Sequence, residues 1–184
     1  MECEKNMRIL ICDDDLQFSN ELTKVIRSFF KKNHLKIPTI CIYNNGEEFL
    51  KDTGEMDLVF LDIEMPGISG ISVGKKVKTD HPNAIIFIIT SYIEYLDEAM
   101  RFHVFRYLSK PLDRQRLFRN LKDALELYST ANTCVPIETK EGVYSVYTKD
   151  IIFVETASRK VIVHSTSGDY ISTHTMQYWL ETLP

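Results

Sequence analysis

Apolar residues along the first two thirds of the chain fall into two alternating patterns. Short continuous runs occur at Arg8–Cys12, Thr39–Tyr43, Leu58–Leu61, Ala84–Thr90 and Val104–Leu108, and each predicts a strand. Between them the apolar residues recur at three and four positions, which predicts amphipathic helices. The stretch Leu16–Lys32 sets Phe18, Leu22, Val25, Ile26 and Phe29 on one face. Its last turn carries Arg27, Lys31 and Lys32, which complement the helix dipole. A turn at Asn44-Asn45-Gly46 leads into a short helix over Glu47–Lys51. A helix over Ile71–Thr79 stops before His81-Pro82, because the residue preceding proline is pushed out of the helical region. A helix over Ile93–Phe102 puts Leu96, Ala99 and Met100 on one side. The last helix of the series runs from Asp113, its N-cap, to Tyr128 and turns Leu117, Leu121, Ala124 and Leu125 inward. Five strands alternating with five helices predict an α/β fold with a parallel sheet, since each parallel crossover needs a helix.

The pattern changes after Ser129–Thr133, a small polar stretch that reads as a linker. Pro136–Thr139, Val143–Tyr147, Ile151–Glu155, Val161–His164 and Tyr170–Thr173 read as short strands. Turn signals at Glu141-Gly142, Ser158-Arg159 and Ser167-Gly168-Asp169 separate most of them, as in antiparallel hairpins. A closing amphipathic piece, Thr175–Leu183, sets Met176, Trp179, Leu180 and Leu183 at helical spacing.

Composition narrows the class without naming it. At 184 residues the chain has room for one domain and part of another, and 44% hydrophobic with 26% charged residues is ordinary for a globular protein. Met1–Asn6 lacks an apolar core, so no secretory signal is expected, and no run approaches a membrane span. The four cysteines (Cys3, Cys12, Cys41, Cys134) and five histidines are scattered, which argues against a zinc site and fits a reducing cytoplasm. A net charge of −4 gives no general affinity for nucleic acid. Residues 132–184 hold four cations, Lys140, Lys149, Arg159 and Lys160, against six carboxylates, a net charge of −2.

The chemistry gathers where the apolar runs end. Leu58–Leu61 ends in Asp62, followed by Glu64, Pro66, Gly67 and Gly70, a turn composition. Asp62 thus sits at the carboxyl end of a strand, where open α/β sheets bind ligands; alone, it reads equally well as the start of a loop. Arg8–Cys12 ends in Asp13, Asp14 and Asp15. Asp15 is best read as the N-cap of the next helix. Asp13 and Asp14 form either a capped turn or, beside Asp62, an oxygen-only cluster suited to Mg²⁺. Ala84–Thr90 ends in hydroxyls. Thr90 alone is an ordinary strand residue; at this edge it could donate to a phosphoryl oxygen. Lys110 follows the run ending at Leu108 and precedes Pro111. It is either a solvated loop residue or a point charge for Asp62 and a phosphate on it.

Taken in order, these residues resemble the receiver domain of two-component response regulators over about residues 7–130. Asp13 and Asp14 match the acidic pair, Asp62 the phosphoacceptor, Thr90 the switch hydroxyl, Lys110 the lysine, and Tyr107 the switch aromatic. Met65-Pro66-Gly67 and Gly70 match the turn after the acceptor. The resemblance implies a flavodoxin-like five-stranded parallel sheet in the order 2-1-3-4-5 and Mg²⁺ held by Asp13, Asp14, Asp62 and the backbone carbonyl of Glu64. It also implies a sensor histidine kinase as phosphodonor, a homodimer on phosphorylation, a cytoplasmic location with no membrane partner, and slow self-dephosphorylation rather than enzymatic turnover.

Asp150–Thr156, the turn after it, Val161–His164 and Leu180–Pro184 resemble the first half of a LytTR-type DNA-binding domain. That resemblance places Ser158, Arg159 and Lys160 in a DNA-facing loop and makes promoter DNA the target of the complete protein. The two cations could equally serve only to solubilise a hairpin turn. The expected division is therefore a receiver over 1–128, a linker over 129–134 and a partial LytTR-like β domain over 135–184. Two other functions stay open: a phosphorylation-switched interaction module, and a Mg²⁺-dependent phosphatase with Asp62 as nucleophile and Glu64 as acid/base. The 53 residues of the last segment are few for a core. They are expected to expose Phe153 and Trp179 and to be poorly ordered, or completed by a neighbouring chain, and to bind DNA weakly.

Overall fold

The computed structural model describes residues 6–92 and 94–183. The chain divides into two compact units, with the boundary between Ala124 and Leu125. In the first, β1 (Arg8–Cys12), β2 (Thr39–Tyr43), β3 (Leu58–Leu61), β4 (Ile85–Thr90) and β5 (Arg106–Ser109) form one sheet. All its pairings are parallel, in the order β2-β1-β3-β4-β5. The expected α/β fold and strand order are thus both present.

Helices α1 (Leu16–Lys32), α2 (Gly46–Phe49), α3 (Gly70–Asp80), α4 (Leu96–Met100) and α5 (Arg114–Ala131) link and follow the strands. β3 is buried along its whole length, and β1 and β4 at all but their first residue, as expected of parallel strands covered on both faces. On one face Leu10, Val59, Leu61, Ile86 and Ile88 pack with Val73 and Val77 of α3 and Ala99 of α4. Phe29 of α1 meets Phe118 of α5 edge-on with ring centroids 5.2 Å apart, so these two helices lie side by side.

Helix α1 starts as its sequence predicts. The Asp15 carboxylate accepts from Phe18 N–H at 3.0 Å, and Lys31 and Lys32 occupy its last turn. Several boundaries differ from the sequence reading, three of them as follows. The fourth helix is one turn, Leu96–Met100, shorter than the expected Ile93–Phe102; Ile93 itself lies outside the described residues. β5 begins at Arg106 rather than Val104, after His103 in the left-handed region (φ 58°). α5 continues to Ala131, through the start of the expected linker. Small polar residues there keep helical hydrogen bonding, and Thr130 Oγ1 donates back to Glu126 O.

In the second unit, β6 (Cys134–Glu138) pairs antiparallel with β7 (Val143–Tyr147). A 3₁₀ turn at Thr148–Asp150 leads into β8 (Ile151–Ala157), which joins β9 (Lys160–Ser165) and β10 (Gly168–Ser172) in an antiparallel sheet ordered β10-β9-β8. Helix α6 (Met176–Thr182) is capped by Thr175, whose hydroxyl accepts from Tyr178 N–H at 3.3 Å. Trp179 does not behave as its sequence context implies. It is 1% exposed, packs with Val135, Ile137, Val146 and Val163, and its indole N–H donates to Ser172 Oγ at 3.1 Å. The segment therefore builds a small core of its own. Phe153, by contrast, is half exposed and stacks on His164 with centroids 4.2 Å apart.

Candidate functional site

The parallel ladder continues one residue past the strand ends. Asp13 N–H donates to Tyr43 O at 3.1 Å, Asp62 N–H to Cys12 O at 2.9 Å, and Lys110 N–H to Thr90 O at 2.9 Å. Asp13, Asp62, Thr90 and Lys110 are thereby fixed along one edge of the sheet by backbone hydrogen bonds, before any side-chain contact is made.

The side chains then converge. Lys110 Nζ lies 2.7 Å from Asp13 Oδ2 and 2.6 Å from Asp62 Oδ2, bridging the two carboxylates. The other oxygens are held by backbone: Asp13 Oδ1 accepts from Asp15 N–H at 3.0 Å, and Asp62 Oδ1 from Ile63 N–H at 2.6 Å. Phe18 supports the ammonium from below, its ring centroid 4.3 Å from Nζ. Asp13 and Asp62 are buried, whereas Asp14 is exposed. Carboxylate oxygens from all three lie within 4.8 Å of one another.

Electrostatics follow from this burial. Desolvation raises the Asp13 pKa, and the opposing pull of Lys110 does not cancel it. Burial alone would lower that of Lys110, but its hydrogen bonds with Asp13 and Asp62 raise it on balance. Three carboxylates facing one ammonium leave negative charge in a buried place. The all-oxygen donor set fits a small hard cation such as Mg²⁺.

The turn after Asp62 needs its glycines. Gly67 sits at φ 83°, open to glycine but strained for other residues. A Cβ on Gly70 would fall 1.7 Å from the Asp62 carbonyl oxygen, so α3 starts against the backbone of Asp62 itself. Gly70 N–H donates to Ile63 O at 2.9 Å and fixes that approach.

Thr90 is buried, and its hydroxyl accepts from Tyr92 N–H at 3.4 Å. The hydroxyl of Tyr107, on β5, donates to Tyr92 O. The Thr90–Tyr92 segment is thus tied both to Thr90 and to Tyr107. Sequence reasoning named Thr90, Tyr107 and Glu64 but did not bring Tyr95 to Glu64. Tyr95 donates to Glu64 Oε1 at 3.3 Å, and Tyr92 lines the same groove as this carboxylate. Both tyrosines have raised pKa values, and Glu64 is the chief cause for each. These side chains, with Asp14, Ser69 and Ser72, line an open groove of about 640 Å³ beside the acidic cluster. Tyr95 lies 31 positions from Glu64, so no local pattern could have joined them.

Residues 9–122 match the response regulator receiver domain family. The chain is a member of that family. The receiver and the segment after it together align with the sensory transduction protein LytT of Bacillus subtilis (strain 168), 27% identical over 189 residues, covering 97% of this chain and 77% of LytT. The transcriptional regulatory protein YpdB of Escherichia coli (strain K12) is 22% identical over the same shares of each chain. Among solved structures, the response regulator TrrA of Thermotoga maritima, in complex with Mg²⁺-BeF, matches at a TM-score of 0.51 and 31% identity, covering 64% of this chain and 97% of that one. A CheY-like receiver from Methanospirillum hungatei JF-1 (TM-score 0.59, 23% identity, covering 68% of this chain and 98% of that one) shares the fold. The match to LytT runs through both units and so includes the segment that follows the receiver. In that segment Ser158 and Arg159 form the β8–β9 turn, and Lys160 opens β9; the acidic cluster contains none of the three.

Proposed function

We propose that this receiver accepts a phosphoryl group on Asp62 from a sensor histidine kinase and thereby controls DNA binding by the LytTR-type segment. The observation that carries the reading is Lys110 bridging Asp13 and Asp62 at neighbouring strand ends, with Asp14 beside them. An Asp62 oxygen attacks phosphorus in line, the bond from phosphorus to the donor's imidazole nitrogen breaks, and a P–O bond forms. Asp13, Asp14 and Asp62, with the Glu64 carbonyl, are the residues that would hold Mg²⁺. Bound there, the ion would neutralise charge on the phosphoryl oxygens. Lys110 already touches Asp62 and is placed to follow the new charge. Thr90 then donates its hydroxyl to a phosphoryl oxygen. Because Tyr92 is bonded to both Thr90 and Tyr107, that movement reaches β5, a local charge event biasing a two-state element.

The functional division that goes with this reading is a receiver over 1–128, a junction over 129–134 and an output segment over 135–184, with dimerisation on phosphorylation in the cytoplasm. Phosphoryl loss is slow and is not turnover of free substrate. A phosphatase would need Glu64 as its acid/base, and that carboxylate accepts from the Tyr95 hydroxyl. The test is labelling by acetyl phosphate with Mg²⁺. Asp62→Ala should abolish it, Asp14→Ala should weaken Mg²⁺ binding, and Lys110→Ala should bind metal but respond poorly. Labelling that survives Asp62→Ala overturns the assignment.

A further inference from the structure

The receiver's charge is sharply divided. Helix α1 carries Lys24, Arg27, Lys31 and Lys32 against Glu21 alone; α5 carries Arg114, Arg116, Arg119 and Lys122 against Asp123 and Glu126. The two helices together hold a net +5 in a chain of net −4, so everything outside them carries −9. They lie side by side through the Phe29–Phe118 contact, which makes one continuous layer. All eight cations are exposed. Among the described residues none of Lys24, Arg27, Lys31, Lys32, Arg119 or Lys122 has a carboxylate within ion-pair distance. By contrast Lys75, Lys76 and Arg106, elsewhere on the receiver, each pair with one. Uncompensated like charge on adjacent helices costs stability through repulsion.

We infer that the α1/α5 layer is a binding face for the phosphate backbone of duplex DNA. The layer has the chemistry for it: Lys and Arg in rows, with Lys24 and Lys31 about 10 Å apart along the helix. A duplex presents one charge per roughly 1.7 Å of its axis. A protein partner fits less well, because protein interfaces centre on apolar anchors and are depleted in lysine. The exposed large apolar residues of these helices, Leu16 and Leu127, stand at opposite ends of the layer, at the first residue of α1 and in the last turns of α5. The inference rests on the DNA-binding reading above and deepens it. The output segment is net −2 with only Arg159 and Lys160 as adjacent cations, so most of the sequence-independent attraction comes from the receiver.

The experiment is a salt titration, from about 50 to 200 mM, of the full chain with a random-sequence duplex, read by fluorescence anisotropy. Four proteins are compared: the unchanged chain, Lys24→Ala/Arg27→Ala/Lys31→Ala, Arg119→Ala/Lys122→Ala, and Arg159→Ala/Lys160→Ala. Acetyl phosphate labelling of Asp62 checks that each is folded. The triple variant should lose about tenfold or more in affinity at the low-salt end, and its log–log slope should fall by roughly 3, at about 0.9 per contact. The α5 pair should lower the slope by roughly 2 on the same scale. Unchanged slopes in both receiver variants, with loss only in Arg159→Ala/Lys160→Ala, overturn the inference and leave the DNA reading standing. No duplex binding by the unchanged chain at the low-salt end also overturns the inference. Tighter binding of the same face to a poly-glutamate peptide than to duplex also overturns it, in favour of an acidic protein partner.

Discussion

At the scale of single residues, two ion clusters on the receiver do different work. Arg8 makes a two-pronged contact with Asp52, at 2.8 and 3.2 Å, and Tyr43 donates to the same carboxylate. The Arg8 hydrogen bond chiefly lowers the Asp52 pKa, to about 2. A carboxyl depressed in the folded state contributes stability above its unfolded pKa and loses it as pH falls through the folded value. The contribution is therefore full above about pH 4 and gone near pH 2. Asp52→Asn should cost about 1–2 kcal/mol at neutral pH and flatten the acid limb of a stability–pH curve; an unchanged acid limb would show the pair is inert. The second cluster, Glu64 with Tyr92 and Tyr95, stands at the mouth of the Asp62 site. Glu64→Ala or Tyr92→Ala should speed phosphoryl loss severalfold with Mg²⁺ binding nearly intact, because carboxylate and ring hinder the attacking water. Decay unchanged from the parent chain in both variants would show that neither lines its path. Asp13, Asp62 and Lys110 were legible because each terminates an apolar run. Asp52–Arg8 was not, since 44 positions separate the partners and nothing periodic links them.

At the scale of elements, the β8–β9 hairpin carries the clearest tension between stability and use. Ser158 and Arg159 both lie in the left-handed region, φ 50° and 62°, where a two-residue hairpin favours glycine or asparagine. A non-glycine residue there costs on the order of 1 kcal/mol. Arg159→Gly should therefore stabilise the second unit by roughly that amount while weakening duplex binding. A thermal melt and an anisotropy titration on one preparation check both halves, and unchanged binding would leave Arg159 as a solubilising turn residue. The sequence showed this turn through Ser158-Arg159 between two β-branched runs. It showed β1, β3 and β4 because parallel strands buried on both faces cannot alternate apolar with polar. Helix α4 was overestimated. Leu96, Ala99 and Met100 satisfy helical spacing, yet only Ala99 is buried, so little holds further turns in place. The end of α5 was underestimated because small polar residues signal a linker in sequence but remain helix-compatible.

At the scale of the whole chain, each unit has its own core, and the two should be separable by mutation. Trp179→Ala removes the largest fully buried side chain of the second unit and its hydrogen bond to Ser172. It should cost about 3–5 kcal/mol there, enough to unfold a small unit, while acetyl phosphate still labels Asp62 as before. Loss of labelling would show that the receiver depends on the second unit. The switch from helical spacing to short strands was legible at about residue 130, whereas the two units divide between Ala124 and Leu125, within α5. The burial of Trp179 was not, because closing the core takes Val135, Ile137, Val146 and Val163 from three separate strands. That burial has an optical consequence. The chain has a single tryptophan, and it lies in the second unit. Light absorbed by tryptophan but not by tyrosine therefore excites one known place in the molecule. Its emission is native to the chain, shielded from aqueous quenchers by the same side chains that bury the ring. Adding a phosphodonor and watching that emission would report, without any attached dye, whether chemistry at Asp62 is felt in the second unit.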